Sequence, residues 1–227
     1  MAFLIDIEGI DGSGKGTQAA LLTGSLREQG YSVELVSFPQ YGKTTFALGI
    51  ADFLNGRFGS LDQVDPFLVS LLYAGDRFES LEWLNERLQS NEIVVFDRYV
   101  PSNMAHQGSK RSGVQRDELL MWIEKIEYGV YRLPRPDLVL WLDLPVHFAH
   151  ARISAKQPRN YTESTTDLQE SDLDHLTRTR EVYEFLADSD PKWSVIPTVE
   201  LEVPLTIDEI ARRIGKVVGS RLSTELR

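Results

Sequence analysis

The sequence predicts an α/β fold: a parallel five-stranded sheet with helices on both faces and a mobile lid. Three observations carry that expectation. Five short apolar runs are separated by segments of helical length, the order produced by strands joined through crossover helices. The first run leads directly into a glycine-rich turn that opens a helix. Finally, 227 residues, 42% of them hydrophobic, build one sizeable core and fall short of two full domains, so residues 1–227 are expected to form a single domain.

The first strand is read from AFLIDIE. It is too short to cross a membrane, is interrupted by Asp6 and Glu8, and lacks the basic start of a signal peptide. The helix KGTQAALLTGSLREQ follows, then the second strand SVELVSF. A helical segment from Asp65 to Gln89 announces its start with Asp65 as N-cap and Pro66 in the first helical position. Along it Val64, Phe67, Leu68, Leu71, Leu72, Gly75 and Phe78 share one face, read as the core face. Tyr73 and Arg77, four residues apart, fall on the opposite side, either as a surface pair or as a pair presented to a ligand. The third strand, EIVVFD, ends on Asp97; the fourth is DLVLWLDL and the fifth WSVIPTV. Between the last two, residues 154–172 are polar and lack apolar periodicity, which predicts a lid.

Gly9, Ile10, Asp11, Gly12, Ser13, Gly14, Lys15, Gly16 and Thr17 lie between the first strand and its helix. This is the order of a phosphate-binding P-loop. The glycines let backbone N–H groups converge on an anion, the helix N-terminus adds positive potential, and Lys15 meets the outer phosphates as a point charge. Gly16 stands where a Ser or Thr hydroxyl usually touches Mg²⁺. Thr17, one residue on, offers that oxygen; the alternative is a metal held mostly through water and a carboxylate. Asp97 is placed like the acidic residue that reaches a metal shell from a neighbouring strand.

Composition narrows the partners. With 34 acidic and 24 basic residues the net charge is −10, which repels a nucleic acid polymer but leaves room for a local basic site facing a small anion. The absence of cysteine excludes disulfides, thiolate zinc sites and a Cys nucleophile, and suits a cytoplasmic protein.

The motifs EGIDGSGKGTQ, FPQYGKT, LLYAGDRFE, FDRYVPSNMAHQG and RPDLVLWLDLP, with a basic lid followed by TRTREVY, run in order along nearly the whole chain. In this the sequence resembles the thymidylate kinase family of P-loop nucleoside monophosphate kinases. The DRY and SN residues together with GDR are more specific than the P-loop. The resemblance implies phosphoryl transfer from ATP to dTMP with Mg²⁺, ATP on the P-loop residues, and a homodimer through long helices such as the one bearing Tyr73. It implies that Asp11 lies near the acceptor 3′-hydroxyl or the metal, that Tyr73 stacks on thymine, and that Arg77 donates to a thymine carbonyl. Asn103 and Gln107 would hydrogen-bond the base or its surroundings, with Phe38 and Pro39 as a wall beside it. Arg98 would contact the acceptor phosphate and the transferred group. Arg152, Lys156 and Arg159 would close over the triphosphate, and Tyr161 and Glu170 match lid positions that touch substrate.

The sequence departs from the family pattern in three places. Tyr41 replaces an arginine that holds the acceptor phosphate, with Lys43 nearby to add charge; GKGT is similar to the adenylate kinase loop; and His106 stands where an aromatic ring often crowds the sugar 2′-carbon. Because a phosphate acceptor has its second pKa at about 6, no general base is expected. The rival readings are another P-loop kinase, of deoxynucleoside or adenylate type, and a nucleotide-binding dimer without turnover.

Overall fold

The computed structural model describes residues 2–154, 168–170 and 172–225. All six residues of β1 (Phe3–Glu8) are buried, so alternate side chains must enter two different layers. Phe3, Ile5 and Ile7 pack with Leu22 and Leu26 of α1 (Lys15–Glu28) and with Ile210, Ile214 and Val218 of α9 (Ile207–Glu225). Leu4 enters the opposite layer, with Ala105 of α5 (Val100–Gly108), Leu120 of α6 (Gly113–Glu124) and Tyr183 of α8 (Leu173–Ser189). Covering both faces is what makes the strands read as continuous apolar runs.

β3 (Ile93–Asp97) and β4 (Leu138–Asp143) flank β1, while β2 (Val33–Ser37) and β5 (Trp193–Pro197) form the edges. The order is β2-β3-β1-β4-β5, with every pair parallel. The five apolar runs are these five strands. A short antiparallel pair, β6 (Val199–Glu200) and β7 (Val203–Pro204), had no signal in the sequence. Ile7 lies opposite Asp97, so the carboxyl ends of β1 and β3 meet at one edge, where the strand order reverses and α/β sheets open a crevice.

Between β2 and β3 lie α2 (Thr45–Leu54), α3 (Pro66–Glu79) and α4 (Leu81–Ser90). Asp65 caps α3 as expected, its Oδ1 accepting from Phe67 N at 2.8 Å, but the segment read through to Gln89 is two helices that meet at Ser80. The face assignment on α3 holds only in part: Val64 and Leu72 do pack against the core cluster of α2 and α3, but the rest of the stripe does not. Phe67, Leu68 and Phe78 are exposed and Leu71 and Leu72 half-buried, while Val69, Ser70, Ala74, Asp76 and Arg77 are buried. Of the apolar stripe only Gly75 is fully buried, because a Cβ there would collide with the Phe46 ring of α2. Arg77 turns inward because a buried carboxylate receives it.

α6 runs on into a π-helical segment (Lys125–Val130), and α7 (Val146–Ser154) follows β4. Residues 155–167 and 171 take most of the expected lid, with Lys156, Arg159 and Tyr161, outside the described residues. Of the remainder, Leu168 N donates to Leu54 O at 3.1 Å, and Gln169 and Glu170 are buried. No helix among the described residues is long and apolar enough to cross a membrane.

Candidate active site

The turn after β1 adopts positive φ at Gly9, Gly12 and Gly14. Gly12 has a second reason to be glycine: a Cβ there would stand 2.8 Å from Ala149 O, so α7 packs directly against the loop. That contact brings Arg152 to the cradle, where its Nη1 donates to Gly12 O at 3.4 Å. Lys15 is the first residue of α1 and is buried, with Nζ donating to Gly9 O at 2.8 Å and Ile10 O at 2.9 Å. Gly9 and Ile10 therefore underlie the cradle. Burial, then the Arg98 guanidinium, pulls the Lys15 ammonium down to about 7, and an arriving polyanion would restore its charge.

A Cβ on Gly16 would come within 3.0 Å of Asp97 Oδ2. The Asp97 carboxylate thus overhangs the helix start, and its oxygens make no hydrogen bond or ion pair among the described residues. Thr17 is exposed on the cleft wall. The described residues contain no cluster of three or more His, Asp or Glu side chains able to hold a metal.

Arg98 follows Asp97 with φ 69, in the left-handed region, which turns the chain from β3 into α5. Its Nη2 donates to Asp11 Oδ1 at 2.5 Å, and its Nη1 to Ser102 Oγ at 3.2 Å, with His106 Nε2 at 3.2 Å. Burial works against its charge, but the Asp11 carboxylate holds the guanidinium above its ordinary range. Beneath it the buried Glu8 accepts from Tyr99 N, Ser102 N, Ser102 Oγ and Tyr183 OH at 2.6–3.0 Å, fixing the start of α5. His106 Nδ1 lies 3.3 Å from Nε2 of the buried His175, whose other nitrogen is 3.2 Å from Ser109 Oγ.

At the far end Arg77 is 1% exposed and clasps Glu127, with Nε to Oε2 at 2.5 Å and Nη2 to Oε1 at 2.6 Å. Asn103 Nδ2 donates to the same Oε1 at 2.8 Å and to Ser70 O at 3.0 Å. One turn on, Gln107 accepts from Lys110 Nζ at 3.1 Å and keeps a buried, unpartnered Nε2. Phe38 stacks on Phe96, while Tyr41 and Tyr73 pack against the cluster of α2 and α3. Lys43 is drawn elsewhere, its ammonium 5.4 Å from the Trp83 ring centre and away from the cleft.

One cleft of about 840 Å³ joins these ends. Gly12 to Thr17, Arg152, Asp97 and Arg98 line one half; Phe38, Pro39, Tyr41, Tyr73, Arg77, Asn103 and Gln107 line the other, with Asp11 and His106 between. Sequence reasoning missed Glu127, His175 and the start of α9. The last is tied to α1 by Gln18 Nε2, which donates to Ile207 O at 3.0 Å.

The family model described as Thymidylate kinase matches residues 7–210. The chain is 32% identical over 184 residues to the Thymidylate kinase of Mycobacterium tuberculosis, covering 81% of this chain and 85% of that one. Against the Thymidylate kinase of Thermomicrobium roseum it is 31% identical over 221 residues, covering 94% and 98%. A solved thymidylate kinase structure from Candida albicans shares the fold, with a TM-score of 0.73 over 97% of this chain and 92% of that chain at 21% identity. A phosphate cradle joined by one cleft to an aromatic and guanidinium-lined pocket is thus accompanied by a family match across most of the chain, and the chain belongs to the thymidylate kinase family.

Proposed function

We propose that this enzyme, a phosphotransferase, moves the γ-phosphoryl group of ATP onto the phosphate of dTMP, giving dTDP and ADP, within one kinase domain in the cytoplasm. The continuous cleft carries the reading: it holds the P-loop at one end, a pocket fit for a pyrimidine at the other, and Arg98 at their junction. The acceptor is already largely deprotonated near pH 7, so the site needs alignment and positive charge. The P-loop N–H groups, Lys15 and Arg152 hold the donor phosphates. Arg98, kept in place by Asp11, faces the acceptor phosphate. Tyr73 and Phe38 flank the base, while Arg77 and Asn103 read its edge, with Gln107 beside them. Arg159 and Lys156 are proposed to close the site from the lid.

Mg²⁺ fits the residues present. The unpaired Asp97 carboxylate over Gly16 suits a hydrated hard cation, Thr17 offers a hydroxyl one residue on, and no closed protein cage competes among the described residues. Bound there, the ion would neutralise charge on the phosphates.

The exposed stripe of α3, continuous with Phe46 and with Phe67 tilted against Trp122 of α6 at 4.6 Å between ring centres, supports a homodimer through this face. A coupled assay of ADP release with dTMP, thymidine and AMP tests the activity. Release only with dTMP, and only with Mg²⁺ present, is expected; equal release with AMP or thymidine would overturn the assignment.

A further inference from the structure

Arg77 and Asn103, 26 residues apart in sequence and on different helices, are held by one carboxylate that does not itself line the cleft. Glu127 is fully buried in the π-helical segment, whose wide turn carries it inward behind α3 and α5. It occupies Nε and Nη2 of Arg77, so Nη1 is the one guanidinium nitrogen without a hydrogen bond among the described residues. It also engages Asn103 Nδ2, whose second proton goes to Ser70 O. Asn103 Oδ1 is left buried without a partner.

These contacts dictate which way the amide points. Flipped, Asn103 would set Oδ1 against the Glu127 carboxylate and the Ser70 carbonyl, two acceptor–acceptor contacts in place of two hydrogen bonds. Arg77 and Asn103 both line the cleft, and the groups they keep unengaged there are a donor, Arg77 Nη1, and an acceptor, Asn103 Oδ1. A 4-oxo pyrimidine presents the complementary edge, an O4 acceptor beside an N3–H donor. A 4-amino pyrimidine presents a donor beside an acceptor nitrogen and is mismatched at both points.

We propose that Glu127 is a positioning residue that fixes this donor–acceptor order, and so selects thymine-like over cytosine-like acceptors. The inference rests on the reading that Arg77 and Asn103 face the base. It makes no distinction between dTMP and dUMP, whose edges are alike at these positions.

The test is steady-state kinetics with dTMP, dUMP and dCMP at saturating ATP for Glu127→Gln and Glu127→Asp, with circular dichroism to establish folding. In Glu127→Gln one carboxylate oxygen becomes a donor, so Arg77 loses one of its two acceptors, and Asn103 loses its own as well when the oxygen replaced is Oε1. The dTMP KM should rise on the order of 10- to 100-fold, and the dTMP-to-dCMP ratio of kcat/KM should fall by about tenfold or more. The ATP KM and the dTMP-to-dUMP ratio should stay unchanged. Glu127→Asp keeps the charge beside Arg77, and with it the fold, but is too short to reach both partners. It should shift selectivity in the same direction by less. A folded variant with unaltered dTMP KM and dTMP-to-dCMP ratio would overturn the proposal, as would a parallel rise of the ATP and dTMP KM values, which would mark a packing role. Asn103→Ala separates the two levels: if its dTMP KM is unchanged, the base reading fails and this inference with it. If that KM rises while both Glu127 variants are silent, only the role of Glu127 fails.

Discussion

The carboxylate of Asp97 lies over Gly16, so close that a Cβ at position 16 would stand 3.0 Å from Oδ2. The glycine that displaces the usual P-loop hydroxyl is therefore the residue that lets the carboxylate approach. If a hydrated Mg²⁺ is oriented by that charge, Asp97→Asn should raise the Mg²⁺ concentration for half-maximal activity by about tenfold or more, because outer-shell partners commonly matter on that scale. Thr17→Val should change it less than about twofold, since the metal keeps several waters. Mg²⁺ titrations at saturating ATP and dTMP decide the matter. The reverse ranking would give the ligand role to Thr17.

Tyr73 projects into the half of the cleft lined by Arg77 and Asn103. Base–aromatic stacking is worth about 1–3 kcal/mol, so Tyr73→Ala should raise the dTMP KM by roughly 5- to 150-fold and leave the ATP KM in place. Equal losses for both substrates would instead assign Tyr73 to packing between α2 and α3.

The five strands, the cradle and the Asp65 cap were legible because each is written locally, in a run, a spacing or a single capping residue. The orientation of α3 was not. An apolar stripe reports that something should cover Leu68 and Phe78, but its periodicity is the same whether the cover is the core or a second copy. Arg77 fell off the expected core face, open to a surface or a ligand role, for a related reason. Its burial depends on Glu127, 50 residues downstream, on a π turn that no local pattern in KIEYGV announces. His106 stood out by position, but its contact with His175 depends on how α8 crosses α5.

Leu68 is 59% exposed at the centre of the α3 stripe. Leu68→Asp should convert a dimer to a monomer in sedimentation velocity runs at micromolar concentration, with the circular dichroism spectrum unchanged. A wild-type protein that sediments as a monomer would remove the case for this interface.

His175 supplies a pH dependence. Burial, then the Lys110 ammonium and Arg178, lowers its pKa from the ordinary 6.5 to about 4, against the opposing pull of Asp172 and Asp11. The folded state therefore binds fewer protons than the unfolded chain between these values. The stabilisation is complete above about pH 6.5 and is lost as pH falls toward 4, on the order of 3 kcal/mol in all. His175→Gln should show a smaller drop in Tm between pH 7 and pH 4.5 than the parent in calorimetric scans. Identical drops would mean that His175 titrates normally.

Glu8 ties two separate stretches of the chain to β1, accepting from Tyr99 and Ser102 at the start of α5 and from Tyr183 in α8. During synthesis the cradle emerges early, yet this carboxylate at its base waits about 175 residues for its last partner. Until α8 docks, burying Glu8 would leave a polar group without its full set of donors, so β1 and the start of α5 have reason to stay loose. Nucleotide affinity is thereby tied to completion of the chain: a ribosome-bound fragment ending before α8 carries the whole P-loop and should still hold ATP poorly.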